Sequence, residues 1–311
     1  MRYRAMKNQP SRPPGADDAQ VFDRRLVRLH RDRAAPHYAG HDFLHREVAE
    51  RVLERLDEIK RRFPLALDLG CRTGVVGSLL KGRGGIEHLV ECDLSATMIA
   101  RTGGSLRVIG DEEALPFRDS SLDLVISVLG LHWVNDLPGT LIQIRRALKP
   151  DGLFLGAFFG GETLHELRAA WLHAELEHSG GASPRVSPVA AVEDLGGLMQ
   201  RAGFALPVVD TDTITVTYKE PLALMRELRF MGEANANRAR RSHFTGRAML
   251  GAAASAYQAQ FATAEGRIPA SFQTIYLTGW CPHPSQQQPA KRGSGQISLA
   301  RVLRDDEPIN S

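Results

Sequence analysis

Residues 66–77 read ALDLGCRTGVVG, directly after Phe63, Pro64 and Leu65. No other stretch limits the fold so tightly. A short unbroken apolar run ahead of a glycine is a strand buried on both faces. The glycines let the backbone turn sharply and bring it close to a ligand with no Cβ in the way. TGVVGSLLKG then opens a helix. Strand, glycine turn and helix in this order start a parallel α/β sheet, whose ligands sit at the carboxyl ends of the strands.

The rest of the chain extends this unit. IEHLVECDLS (86–95) and LRVIGD (106–111) read as the second and third strands, with SATMIARTG starting a helix between them. SLDLVISVLGLHWV (121–134) contains a fourth strand and GLFLGAFFG (152–160) is a fifth, joined by the helix of DLPGTLIQIRRALKPDG. Upstream, REVAERVLERLDEIKRR (46–62) places Val48, Val52, Leu56 and Ile59 at helical spacing. Beyond residue 161, ETLHELRAAWLHAELEH, VAAVEDLGGLMQRAGF and EPLALMRELRFMGEAN read as helices, and 207–218 and 271–280 as strands. The fold class is α/β: a doubly wound, mostly parallel sheet with helices on both faces and a helical C-terminal elaboration. The expected division is a disordered tail (1–20), N-terminal helices plus a cofactor domain (21–160), an elaboration that completes the sheet and forms a lid or substrate dock (161–281), and a flexible tail (282–311).

Charge and cysteine usage narrow the function classes. Lys and Arg number 39 against 36 Asp and Glu, a net charge of +3. This balance gives no argument for nucleic acid, and allows at most a peripheral membrane association. Cys71, Cys92 and Cys281 form no CxxC pair, so a reducing compartment is expected and neither zinc nor a disulfide framework. The longest apolar run, 124–134, is far short of the ~20 residues of a membrane span. The first residues are basic and Pro-rich without an apolar centre, which reads as a tail rather than a secretory or transit segment. In RRLVRLHRDR (24–33), Arg24, Arg28 and Arg31 share one helix face, expected to be solvated. His37, His41 and His45 have the i, i+4, i+8 spacing of helical metal ligands, but Pro36 and Gly40 interrupt such a helix, and no metal is expected. His173 and Glu177 read as a solvated pair.

The turn has the form Asp68-x-Gly70-x-Arg72-x-Gly74, which is not the GxGxxG of dinucleotide sites. Asp93 closes the second strand, where a carboxylate accepts bonds from two ribose hydroxyls. Asp111 closes the third, where an acid accepts from an adenine amino group. Leu94, Glu112 and Val128 are the remaining expected cofactor contacts. No lysine or hydroxyl stands in the P-loop arrangement, so the ligand is adenosine-containing without phosphates. Arg72 stands where a second glycine is expected. A left-handed backbone there costs roughly 1–2 kcal/mol. Its guanidinium blocks the site, points out of the loop or pairs with a ligand carboxylate; accommodation is the expectation. After the fourth strand, GLHWVNDLP offers His132 and Trp133 as candidate catalytic residues, with a purely structural role equally open.

LDLGCRTG, ECDLS, GDEEALPF and LKPDG, in this order over residues 63–160, resemble the motifs of the class I S-adenosylmethionine (SAM) methyltransferases. That resemblance implies SAM as cofactor, with Trp133 against its sulfonium or walling the pocket. A closer one spans nearly all of residues 21–295. VFDRRLVRLHRDRAA, SPRVSPVAAVEDLGGLMQRAGF, VDTDTITVTY, LMRELRFMGEAN and LTGW are similar to the mitochondrial complex I assembly factor 5 family. That resemblance implies a protein arginine hydroxylase acting on an iron–sulfur subunit of the quinone arm of complex I. No persuasive non-haem iron triad stands out in the sequence. Two alternatives stand beside it: an O-methyltransferase acting on a small molecule or malonyl-acyl carrier protein, and a non-catalytic assembly chaperone. The expected location is a bacterial cytoplasm, the alternative the matrix face of the mitochondrial inner membrane.

Overall fold

The computed structural model describes residues 20–179, 181–187, 195–241 and 243–287. Its strands are β1 (Leu65–Leu69), β2 (His88–Asp93), β3 (Leu106–Ile109), β4 (Leu122–Val128), β5 (Leu148–Phe159), β6 (Ala205–Tyr218) and β7 (Ile268–Trp280). They form one sheet in the order β3-β2-β1-β4-β5-β7-β6. The first five pair in parallel, and β7 lies antiparallel between β5 and β6. In β1 and β4 neighbouring residues are buried on both faces, which is why these strands are unbroken apolar runs. β6 is an edge strand and alternates instead. Its outward Asp210 and Asp212 pair with Arg55 and Arg51, putting charge on the edge and blunting it against strand addition.

The helices are α1 (Arg24–Ala34), α2 (Phe43–Asp57), α3 (Val75–Leu79), α4 (Ala96–Ile99), α5 (Leu137–Ala147), α6 (His165–Ser179), α7 (Leu195–Arg201), α8 (Pro221–Phe230) and α9 (Arg247–Phe261). Residues of α2, α3, α6, α8 and α9 share one core on one face of the sheet, and residues of α5 and α7 share the other. Leu44, Val48, Val52 and Leu56 of α2 are fully buried. Each such side chain stabilises the fold by about 1.5–3 kcal/mol through lost apolar exposure. Asp136 caps α5 by accepting from Gly139 N at 2.8 Å, and Pro138 sits in the first turn, where its missing N–H costs nothing.

One helix end and one whole helix depart most from the sequence expectation. α2 ends at Asp57 rather than near residue 62. Pro64 disfavours helical backbone at Phe63, and the chain must straighten to enter β1. Arg61 and Arg62 leave the helix line to pair with Asp151 and Glu87. α9 has no counterpart in the sequence reading. RAMLGAAASAYQAQF is rich in alanine, which favours helix but marks no apolar stripe, and Ala253, Ala256 and Tyr257 become its buried face. Residues 189–194 of an expected helix, residues 1–19 and residues 288–311 lie outside the described residues.

The strand order reverses between β1 and β4, the switch point at which the carboxyl ends of a doubly wound sheet open a crevice. The β1–α3 loop, the ends of β2 and β3 and the 3-10 turn Leu131–Trp133 all meet there.

Candidate active site

The β1–α3 loop uses left-handed backbone at Gly70 (φ +78°), Arg72 (φ +53°) and Gly74 (φ +81°). Gly70 N and Cys71 N donate to Cys92 O at 2.8 and 3.0 Å, tying the loop to the end of β2. A Cβ on Gly70 would stand at ordinary contact distance, 3.4 Å from Glu112 Oε1 and 3.5 Å from Gly130 Cα, so it is the left-handed φ that calls for glycine here.

Arg72 pays the left-handed strain of a non-glycine residue, roughly 1–2 kcal/mol. Its side chain neither leaves the loop for solvent nor lies open to a ligand: it is buried. Nη2 donates to Leu129 O at 3.0 Å and to Glu233 Oε1 at 2.9 Å. Glu233 follows Gly232 (φ +78°) just past α8. Its other oxygen accepts from Trp133 Nε1 at 3.0 Å and lies 2.9 Å from His132 Nε2. His132 and Trp133 are thus brought together as a pair, joined through one carboxylate to the cofactor loop. His132 Nδ1 is buried without a partner and packs near Phe159, with ring centroids 4.8 Å apart. His132, Trp133, Phe159 and Glu233 wall a cavity of about 30 Å³, room for about one water.

The acids at the strand ends also find protein partners. Asp93 accepts from Ser95 N at 2.8 Å and, through its other oxygen, from Arg72 N at 3.1 Å. Arg31 Nη1 lies 3.3 Å from Asp93 Oδ1 and 2.7 Å from Glu112 Oε1. Arg24 Nη2 bonds Asp111 at 2.5 Å and also bonds Glu112. This corrects the expected solvated face of α1: Arg31 is fully buried and Arg24 nearly so, while Arg28 stays exposed. The reason is electrostatic. Asp93 and Glu112 are buried side by side, and two buried carboxylates need a counter-charge.

Titration reflects this arrangement. Burial opposes charge on Arg31, but Asp93 and Glu112 raise its pKa and hold it protonated. Burial also opposes ionisation of Glu112, yet Arg31 and Arg24 hold its pKa down to about 2. Burial pushes Asp93 up to about 6 against the pull of Arg31. Asp68 is pushed well above the carboxylate range by burial, with Glu91 and Asp93 adding to the shift. Both of its oxygens are buried without a partner.

Orphaned acceptors on Asp68, the left-handed turns at Gly70 and Gly74 and the half-exposed Asp111 (31 % side-chain exposure) suit in type and place a ligand carrying an adenosine and an amino-acid end. Val128 is buried at the end of β4 and Leu94 half-buried beyond β2, so both are placed at the crevice. Asp93 is covered by Arg31 in this arrangement.

The histidines of the expected metal spacing diverge. His41 Nδ1 lies 2.9 Å from Glu227 and its ring stacks on Phe230, His37 meets Phe230 edge-on, and His45 Nδ1 lies 2.6 Å from Tyr38 OH. Among the described residues no three His, Cys, Asp or Glu side chains gather as metal ligands. His173 and Glu177 pair at 3.3 Å, both about half exposed.

Sequence reasoning missed Arg24, Arg31 and Glu233 as residues of the crevice. For the arginines, their density in 24–33 was the available signal. For Glu233 no local signal exists, because it is defined by residues 100 and more positions away.

A methyltransferase domain profile matches residues 67–156. The chain is 44% identical to the mitochondrial arginine-hydroxylase NDUFAF5 of Danio rerio, over 91% of this chain and 90% of the relative. It is 36% identical to the malonyl-[acyl-carrier protein] O-methyltransferase of Halorhodospira halophila, over 92% of this chain and 98% of the relative. Among solved structures, it resembles a chain from the complex of the Haloferax volcanii Trm112 methyltransferase activator with a methyltransferase. The TM-score is 0.52 at 21% identity, covering 84% of this chain and 100% of that one, a likeness of fold.

Proposed function

This chain belongs to the arginine-hydroxylase NDUFAF5 family, and on that premise we propose that it hydroxylates an arginine side chain of a protein substrate, one atom of dioxygen entering the arginine and the other leaving as water with two electrons from a reductant. We assign that substrate to the iron–sulfur subunit of the quinone arm of respiratory complex I, modified during assembly, with SAM as the cofactor. The observation that carries the reading is the extent of the likeness. Similarity to NDUFAF5 runs over 91% of the chain, far beyond the methyltransferase profile at 67–156. The reading places the protein in a bacterial cytoplasm. Among the described residues, no helix is long and apolar enough to cross a membrane.

SAM, when bound, supplies a methyl-bearing sulfonium. Asp93 holds the ribose once Arg31 yields, Asp111 takes the adenine amino group, and Gly70 and Gly74 let the backbone approach. Leu94, Val128 and Glu112 line the pocket, and Asp68 brings uncommitted acceptors beneath the loop. His132 and Trp133 face the substrate side. Arg72 compensates the charge of Glu233 at 2.9 Å, so Glu233 stays an acceptor that fixes both rings. His132 Nδ1 is then the hydrogen-bonding atom left for the substrate.

The test is mass spectrometry of the quinone-arm subunit from cells with and without the gene. An arginine lighter by one oxygen atom in the deletion strain supports the reading. A second reading, O-methyl transfer to an acyl carrier protein, is favoured by the full-length likeness to the Halorhodospira enzyme. A missing methyl group on the carrier-bound acyl chain, with the arginine unchanged, selects it. Failed complex I assembly with no mass change selects the assembly chaperone.

A further inference from the structure

Between α6, α8 and the chain after α8 lies a cavity of about 300 Å³. It shares Leu164, Val186, Ser187, Leu228 and Glu233 with the small cavity beside His132. Across Trp171 and Arg185 it also meets a hollow of about 560 Å³. The three adjoin one another through these shared walls, and the innermost is lined by His132 and Glu233.

The walls are apolar: Leu164 and Leu167 are buried and Trp171 nearly so. The rim is cationic, with Arg185, Arg229, Arg240 and Arg241 all lining the cavity. Two of the four are committed. Arg185 bonds Glu175 at 2.6 Å and Thr245 at 2.7 Å and lies 4.9 Å over Trp171, and Arg240 gives a donor to Asn237 O at 3.0 Å. Arg229 and Arg241 are exposed and have no ion pair among the described residues. The one acid of the lining, Glu233, is already taken by Arg72, His132 and Trp133. Phe244, 92 % exposed, stands one residue before the Thr245 that anchors Arg185. Exposed aromatic and guanidinium groups are the composition of a protein-recognition surface.

We propose that this cavity seats an acidic polypeptide segment, flanking the side chain that reaches the His132–Glu233 pair. The inference rests on the protein-substrate reading above and adds what selects the substrate: carboxylates on Arg229 and Arg241, and apolar side chains against Leu167 and Trp171. Guanidinium forks recognise carboxylates bidentately, and an acidic segment offers them close to the modified residue. The cationic rim disfavours a basic segment by like-charge repulsion.

The test uses the full chain and a fluorescein-labelled peptide that alternates aspartate with leucine, read by anisotropy. The control peptide carries asparagine for aspartate. The expected result is binding of the aspartate peptide at least about tenfold tighter than the control, and loss of that preference in the double variant Arg229→Glu with Arg241→Glu. The thermal midpoint serves as the folding control. Should the reversal not fold, Arg229→Gln with Arg241→Gln carries the same test. Equal binding of the two peptides, or undiminished preference in the folded double variant, overturns the proposal. So does a double variant that loses affinity only for anionic phosphatidylglycerol vesicles, which would make the rim a membrane contact. Acid-selective binding with no oxygen change in the subunit removes the hydroxylase reading and leaves the docking site. An intact oxygen change without acid selectivity does the reverse.

Discussion

Arg72, in the cofactor loop, is ion-paired at 2.9 Å to Glu233, which lies 161 positions away in the chain that follows α8. Both side chains are nearly excluded from solvent. The pair ties the β1–α3 loop to the chain after α8, and the same carboxylate holds His132 and Trp133.

Breaking it from either end should be costly. Glu233→Gln leaves a buried guanidinium without its counter-charge, an expected loss of about 3–5 kcal/mol in urea unfolding. Arg72→Gly relieves left-handed strain of roughly 1–2 kcal/mol but strands Glu233. The double variant should therefore cost clearly less than the sum of the two singles. Strict additivity would show that the pair carries no coupling.

The Arg31–Glu112 contact at 2.7 Å should behave the same way. Arg31→Met uncovers two buried carboxylates, with an expected loss of about 3–5 kcal/mol. Adding Glu112→Gln removes one of them and should restore part of that loss. An Arg31→Met protein as stable as wild type by urea titration would rule out the ion cluster as a stabilising unit.

Cofactor binding should single out the strand-end acids. Asp93→Ala and Asp111→Asn each remove an expected acceptor for the cofactor. A hydrogen bond to a charged group contributes about 1.5–3 kcal/mol, roughly a 10–100-fold change in Kd. Calorimetry with S-adenosylhomocysteine checks this. Wild-type affinity in both variants would rule out adenosine binding at this crevice.

Acid sensitivity should have a component from His45. Burial depresses its pKa to about 4; Arg46 and Arg31 add to that shift and Glu233 opposes it. A depressed histidine favours folding above its ordinary pKa of 6.5, and this contribution is lost as pH falls from 6.5 through about 4. The shift corresponds to about 3 kcal/mol. Asp93, raised to about 6, acts with the opposite sign over nearly the same range, so the wild-type profile conceals both. The difference between wild type and His45→Asn isolates the histidine. It should shrink by about 3 kcal/mol between pH 7 and pH 4, and a difference constant over that range would show that His45 does not titrate in the fold.

Much of the architecture was legible in the residues themselves. The apolar runs of β1, β4 and β5 announced buried strands, the alternation of 207–218 announced a strand, and the glycines at 70 and 74 announced a tight turn after β1. These are local properties, set by side-chain size, periodicity and backbone freedom within a few residues. α9 escaped because alanine gives helix propensity without an apolar stripe.

The sequence by itself determined which residues stand at the carboxyl ends of the strands: Asp68, Gly70, Gly74, Asp93 and Asp111. Only the tertiary structure decided what meets them. Arg31 reaches Asp93 across 62 positions, Arg24 reaches Asp111 across 87, and Glu233 reaches Arg72 across 161. No periodicity encodes such partners. A buried charge is matched by whichever opposite charge the packed chain brings within hydrogen-bond distance, and that depends on where α1 and the end of α8 cross the sheet.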